Sequence, residues 1–231
     1  PGHADFGGEG ERALSMVDSV LLLVDAVDGP MPQTTFVTRK ALARGLKPIV
    51  VVNKVDRPAA RPDWVIEQTF DLFDRLGADH DQMDFPHLYA SAIEGWASDD
   101  ADVRDQGMTA LFETIVRHVP APEVDPEGPL QMQVSALDYS SYVGVIGIAR
   151  IRRGRISRNT QVAIASADGT VRRGRVLQIL AFHGLERIEL EEAGAGDIIS
   201  FTGIDGLKIS DTICDPDAVE PLPALTVDEP T

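Results

Sequence analysis

The stretch KPIVVVNKVD, residues 47–56, decides the fold. Its run PIVVV is apolar and rich in β-branched residues over the length of a strand buried on both faces, which is typical of a parallel sheet covered by helices. The polar residues Asn53, Lys54 and Asp56 follow at once. Open α/β sheets bind their ligands beyond the carboxyl ends of the strands. The stretch therefore predicts an α/β fold with a candidate binding loop directly after this strand.

The sequence on both sides of this strand alternates between strand and helix patterns, which predicts a parallel sheet with flanking helices. The helix over DWVIEQTFDLFDRL has Asp63 as its expected N-cap, and the helix over QTTFVTRKALAR is expected to end at Gly45. The further predicted strands are VLLLVDA (20–26) and HLYASA (87–92), and the further predicted helices lie at about 9–17 and over TALFETIVRHV (109–119).

The proline-rich and acidic segment PAPEVDPEGP interrupts this alternation. Beyond it the apolar segments are short and mostly alternating, with tight turns at Arg153-Gly154 and Asp168-Gly169, which predicts a small antiparallel barrel or sandwich. The sequence thus predicts three parts: an α/β domain at 1–119, a linker at 120–129 and an all-β domain at 130–231.

Composition limits the function classes. With 37 Asp and Glu against 21 Lys and Arg, the net charge of −16 argues against bulk binding to DNA or to an anionic membrane. No apolar run reaches the roughly 18 residues of a membrane span. The single cysteine, Cys214, fits a reducing compartment, so we expect a cytoplasmic protein. The histidines have no metal-site spacing, and no metal site is predicted within this sequence.

The loop NKVD has the chemistry of a guanine site. The carboxylate of Asp56 can accept hydrogen bonds from guanine N1–H and N2–H₂, two donors that adenine does not offer together. Asn53 can donate to N7, and the stem of Lys54 can lie along the base. After the next predicted strand, the run Ser91-Ala92-Ile93 could supply a backbone N–H near Ala92 for O6. The alternative is that NKVD is only a polar strand exit.

These motifs together resemble the P-loop GTPases of the translation-factor type. NKVD is similar to their base-specificity motif, Ser91-Ala92-Ile93 to their third base loop, and the opening Pro1-Gly2-His3 to the end of their D-T-P-G-H switch motif. The strings NKVDRPAARPDWV, HVPAPEVDPEGPLQMQVSALDY, SYVGVIGIARIRRGRI and AGDIISFTGI resemble more closely the ribosome-associated GTPases of the TypA family, also called BipA.

The resemblance implies that the parent protein hydrolyses GTP to GDP and phosphate on the ribosome. Gly2 would offer its N–H to the γ-phosphate, His3 would orient the attacking water, and Mg²⁺ would be held mostly by residues outside this chain. No G-x-x-x-x-G-K-[ST] loop occurs in the 231 residues, so we expect the chain to be part of a longer protein and inactive alone.

A cluster of arginines stands out in the second half. Between residues 150 and 175 only Asp168 opposes eight arginines, which suit bidentate contacts with phosphate. The resemblance implies that these arginines contact ribosomal RNA. The alternative is a purely structural role, in which they are charges on a sheet edge that prevent aggregation. The eight are Arg150, Arg152, Arg153, Arg155, Arg158, Arg172, Arg173 and Arg175.

Two other functions stay open on the sequence alone. The chain could be a non-catalytic module that docks on RNA or the ribosome, or part of another translation GTPase, such as one similar to elongation factor G. GTP turnover distinguishes the first alternative, and the residues beyond Thr231 distinguish the second. The sequence gives no oligomeric state.

Overall fold

The computed structural model describes residues 7–104, 107–184 and 186–225. The chain divides into two compact units, Pro1–Ala121 and Pro122–Thr231. The division falls inside the proline-rich segment, and residues 122–129 belong with the second unit. Within the described ranges, no helix has both the length and the apolar character needed to cross a bilayer.

The first unit is an α/β layer structure, as the sequence predicted. Its strands are β1 (Val20–Asp25), β2 (Pro48–Asn53), β3 (His87–Ser91) and β4 (Trp96–Ser98). Its helices are α1 (Gly7–Leu14), α2 (Pro32–Ala43), α3 (Pro62–Arg75), α4 (His80–Met83) and α5 (Thr109–His118). The short elements α4 and β4 were not predicted, because four and three residues are too few to show a periodicity.

The sheet has the order β1-β2-β3-β4, in which the first three strands are parallel and β4 is antiparallel to β3. Strand β2 pairs with β1 on one side and with β3 on the other, and its residues Ile49–Val52 are buried in the core. In register, Asp25 of β1 is opposite Asn53 of β2, and Asn53 is opposite Ala90 of β3. The carboxyl ends of the three parallel strands therefore lie in one row, and the segments that follow them start at the same rim.

The turn after β1 is tied to the start of α3. The N–H of Arg61 donates to the carbonyl of Ala26 at 2.8 Å. The guanidinium of Arg61 lies 3.8 Å from the ring centre of Trp64 and also donates to the carbonyl of Val27. The prediction that Asp63 caps α3 is wrong, because Arg61 is the N-cap and Pro62, whose fixed φ suits a first helical turn, begins the helix.

The second unit is all β, as predicted, and every pairing in its main sheet is antiparallel. That sheet has the order β11-β10-β13-β6-β5-β14-β8-β9, and β7 and β12 form a separate pair. One core of buried residues, including Met132, Ile151 and Phe201, fills it. The strands are β5 (Gln131–Ser140), β6 (Gly144–Arg153), β7 (Arg155–Ser157), β8 (Thr160–Ala165), β9 (Val171–Val176), β10 (Ile179–His183), β11 (Glu186–Leu190), β12 (Glu192–Gly194), β13 (Ile198–Phe201) and β14 (Thr212–Cys214).

We expect Gly29→Ala to destabilise the first unit more than Gly45→Ala does. Both glycines have a left-handed φ, of +71° and +73°, so each alanine costs about 1 kcal/mol of backbone strain. Only at Gly29 would the new Cβ meet a neighbour, the ring of Trp64 at 3.0 Å, whereas nothing lies within 4 Å at Gly45. We expect this crowding to add about 1 kcal/mol. The measurement is the free energy of unfolding in urea, and equal losses for the two variants would contradict the packing of Trp64 on this turn.

Candidate nucleotide site

The side chain of Asn53 joins the two predicted loops. Its Oδ1 accepts hydrogen bonds from the N–H of Lys54 at 2.8 Å and from the N–H of Ala92 at 3.0 Å. A second contact, from the N–H of Val55 to the carbonyl of Ala90, runs beside it at 3.2 Å. The structure thus brings the loop after β2 and the loop after β3 together at the rim of the sheet.

The backbone turns sharply at Lys54, which has a φ of +68°. A residue with a side chain pays roughly 1–2 kcal/mol for this left-handed conformation and keeps it only where its surroundings enforce it. Here the hydrogen bond from its N–H to Asn53 holds one end of the residue. At the other end, Nζ of Lys54 donates to Oδ2 of Asp25 at 2.6 Å. The loop is therefore fixed at both its backbone and its side chain.

The carboxylate of Asp56 has an unused acceptor. Its Oδ1 is buried and has no hydrogen-bond partner within the described part of the chain. Leaving a buried acceptor unpaired costs on the order of 1–3 kcal/mol, and more for a charged group. A ligand with N–H donors that reached this oxygen would remove this cost.

The loop at residues 91–93, after β3, is held by hydrogen bonds within the same segment. Ser91 is buried, its Oγ accepts from the N–H of Glu94 at 3.3 Å, and its carbonyl accepts from the N–H of Gly95 at 2.8 Å. Because the N–H of Ala92 already donates to Asn53, it is the N–H of Ile93 that lacks a partner in this part of the described chain. The side chain of Ile93 is 89% exposed, so this residue lies at the open rim.

Asp25 belongs to the same rim, although its place in the sequence did not single it out. Its Oδ1 accepts from the N–H of Val27 at 2.8 Å, and its Oδ2 binds Lys54 and lies 3.9 Å from Arg57. Burial by itself would raise the pKa of Asp25, but Lys54 and the N–H groups of Val27 and Asp28 outweigh it and lower the pKa below its usual value. The signal that could have found Asp25 is its position as the last residue of a parallel strand.

The predicted residues Gly2 and His3 lie outside the described residues, and their roles stay predictions. Within the described ranges, no group of three or more His, Cys, Asp or Glu side chains could hold a metal ion.

The arginines of the second unit do not form the single uncompensated surface that the sequence predicted. The count within residues 150–175 included only one acid, but the fold brings carboxylates from outside that window. The ion pairs are Arg153–Glu220 at 2.7 Å, Arg155–Glu192 at 3.1 Å, Arg158–Glu191 at 2.7 Å and Arg172–Asp211 at 3.8 Å.

The remaining four arginines differ in exposure and contacts. Arg150 is only 6% exposed, so it is part of the interior rather than of a surface, and Arg152 is exposed but has contacts of its own. Arg173 and Arg175 are exposed on one face of β9, at the end of the sheet order, and neither has a partner among the described residues. Within the described ranges, these two are the arginines of the cluster whose side chains have no partner.

Comparison with known families agrees with this geometry. Residues 1–121 match the elongation factor Tu GTP binding domain, and residues 144–214 match elongation factor Tu domain 2. The chain therefore belongs to the translational GTPase family, with an α/β GTP-binding domain followed by a β-rich second domain.

Proteins of similar sequence point to one family within the translational GTPases. The chain is 63% identical over all 231 residues to the large ribosomal subunit assembly factor BipA of Salmonella typhimurium, 62% to that of Haemophilus influenzae and 55% to that of Buchnera aphidicola. Within the translational GTPases, the chain is a member of the TypA/BipA family. The match covers 100% of this chain but 38% of the length of each of these relatives.

We expect Asn53→Ala to loosen both loops, because it removes the oxygen that receives the N–H groups of Lys54 and Ala92. Asn53→Asp keeps an acceptor at that place and serves as the matched control. The measurement is hydrogen exchange of the two amides, which we expect to be accelerated roughly fivefold to thirtyfold by alanine, corresponding to about 1–2 kcal/mol, and much less by aspartate. Unchanged protection of the Ala92 amide in the alanine variant would contradict the link between the loops.

Proposed function

We propose that the full-length protein carrying this chain binds GTP and GDP, with the guanine base held between residues 53–56 and 91–93. The observation that carries the proposal is the buried, unpaired Oδ1 of Asp56 beside two loops that Asn53 fastens together. Guanine supplies the missing donors through N1–H and N2–H₂. Adenine carries an acceptor at N1, so it would leave the carboxylate unsatisfied.

Other groups of the rim complement the remaining edges of guanine. The amide nitrogen of Asn53 is free to donate to N7, since its Oδ1 already serves the two loops. The N–H of Ile93 would donate to O6, one residue beyond the contact expected near Ala92. The stem of Lys54 would lie along the base plane. Together these groups would read both polar edges of the base.

We further propose that the full-length protein hydrolyses GTP to GDP and phosphate, as its membership of the translational GTPases suggests. His3 would orient the attacking water, and Gly2 would donate its N–H to the γ-phosphate. Such GTPases typically use Mg²⁺. The described residues supply no ligand set for it, so we assign no Mg²⁺ ligand among them.

The relatives are named large ribosomal subunit assembly factors, which supports the ribosome as the partner and the cytoplasm as the location of the full-length protein. The comparisons fit a GTPase better than a non-catalytic docking module. The free guanidinium groups of Arg173 and Arg175 are the best candidates in this chain for contact with the phosphates of ribosomal RNA. The paired arginines would first have to leave their carboxylates.

The direct test measures the affinity for a fluorescent GDP analogue and the GTP turnover with ribosomes, on the 231-residue chain and on a version with the length of the relatives. We expect binding and turnover in the long version and no turnover in the shorter chain. Failure of the long version to bind guanine nucleotide would overturn the proposal.

We expect Asp56→Asn to shift base preference from guanine towards xanthine. The asparagine offers one acceptor and one donor where the carboxylate offers two acceptors, and xanthine presents a carbonyl in place of the N2 amino group. The measurement is the ratio of GDP to XDP affinity in the full-length protein. A variant that kept its preference for GDP unchanged would argue against the role of Asp56.

We expect the double variant Arg173→Gln with Arg175→Gln to weaken ribosome association without changing GDP affinity. The slope of log affinity against log salt concentration should fall by the equivalent of up to about two phosphate contacts. Arg155→Gln with Arg158→Gln removes the same charge from arginines already paired with glutamates, and we expect a smaller effect. Co-sedimentation with ribosomes over a range of salt concentrations is the measurement. Undiminished association of the first variant would favour a protective sheet edge.

A further inference from the structure

Asp25 lies where strand β1 meets the candidate guanine loop. It is the last residue of β1 and the register partner of Asn53, the first residue of that loop. Its side chain is 14% exposed. A carboxylate so far removed from water needs hydrogen bonds or a cation nearby. Both are present, and the cation comes from the loop itself.

The two carboxylate oxygens of Asp25 accept hydrogen bonds from different segments. Oδ1 accepts from the N–H of Val27 at 2.8 Å and, more weakly, from that of Asp28 at 3.4 Å, which closes the turn after β1. Oδ2 accepts from Nζ of Lys54 at 2.6 Å and lies 3.9 Å from Arg57. One oxygen therefore fastens Asp25 to its own turn, and the other reaches across to the neighbouring loop.

The turn that carries Asp25 is itself anchored. The N–H of Ala26 donates to the carbonyl of Asn53 at 2.8 Å, and the carbonyl of Ala26 accepts from the N–H of Arg61 at the start of α3. The carboxylate thus has a fixed position relative to the loop, whereas Lys54 has a long side chain that would otherwise sample many rotamers. Freezing such a side chain costs up to about 2 kcal/mol, which an anchored partner offsets.

The contact also acts on the strained backbone of the loop. Lys54 has a left-handed φ of +68°, which a residue with a side chain adopts only under constraint. The bond from its ammonium to Asp25 and the bond from its N–H to Asn53 act at the two ends of the same residue. If the first bond is lost, the conformation rests on two backbone bonds, from the N–H of Lys54 to Asn53 and from the N–H of Arg57 to the carbonyl of Lys54 at 3.1 Å. Asp56 follows Lys54 by two residues.

We propose that Asp25 is a positioning residue of the guanine site, which acts by holding Lys54 at the rim of the sheet and thereby fixes the loop that presents Asp56. The inference rests on the proposed binding of guanine nucleotide. It assigns to the end of β1 a part in nucleotide affinity, beyond the two loops already assigned to the base.

The test is a double-mutant cycle in the full-length protein, with the affinity for GDP as the readout. Asp25→Asn removes the charge but keeps an oxygen that can accept from Val27, and we expect it to weaken GDP binding about threefold to tenfold. In a Lys54→Gln background, we expect Asp25→Asn to have no further effect, because its partner is already gone. Asp28→Asn is the matched control. The exposed carboxylate of Asp28 lies in the same turn and has no side-chain partner among the described residues, so we expect GDP affinity to stay unchanged.

The outcomes separate the inference from the proposed function. If the wild-type protein binds no guanine nucleotide, the proposed function fails, and the inference fails with it. If the wild-type protein binds GDP but Asp25→Asn weakens binding equally in the wild-type and Lys54→Gln backgrounds, Asp25 only stabilises its turn, and the inference alone is overturned. Unchanged GDP affinity in Asp25→Asn overturns it as well. Urea unfolding of the same variants completes the test, since failure of Asp25→Asn to fold would also show a purely structural role.

Discussion

The candidate site of the first unit depends on one side-chain oxygen. Oδ1 of Asn53 receives N–H groups from the loops after β2 and β3, and the bond from the N–H of Val55 to the carbonyl of Ala90 supports it at the same rim of the sheet. Parallel strands place the starts of these loops in register, but register alone does not join them. Once they are joined, the left-handed turn at Lys54 and the buried Oδ1 of Asp56 have fixed places. The arrangement of the candidate site is therefore a consequence of strand register together with the side-chain amide of Asn53.

Much of the fold could be predicted because its signals are long or strongly apolar. The run at residues 48–52 is buried as its composition indicates, and the alternating segments of the second half form an antiparallel sheet. The predictions failed where the signal is short or depends on a neighbour. Strand β4 has only three residues and is defined by its pairing with β3. Helix α3 begins at Pro62, so its start is set by this proline and not by the capping preference of Asp63.

The residues of the candidate site also divide into those that the sequence could identify and those that it could not. Asn53, Lys54 and Asp56 could be found because their residue types carry the chemistry of base recognition directly after a recognisable strand. Asp25 was not singled out, because its position as the last residue of a parallel strand is a weak signal. Its importance comes from register with Asn53 and from a contact with a residue 29 positions away. For the arginines, only the charge count was wrong. A count within residues 150–175 cannot include the carboxylates that the fold of the second unit places beside them, which are Glu191, Glu192, Asp211 and Glu220.

The most direct measurement is a structure of the full-length protein with GDP bound. We expect N1 and N2 of guanine to lie within hydrogen-bond distance of the carboxylate of Asp56, at about 2.7–3.2 Å, with N7 facing the amide of Asn53. A base seated away from residues 53–56, or a carboxylate of Asp56 turned towards protein groups instead of the base, would contradict the assignment of this rim to guanine.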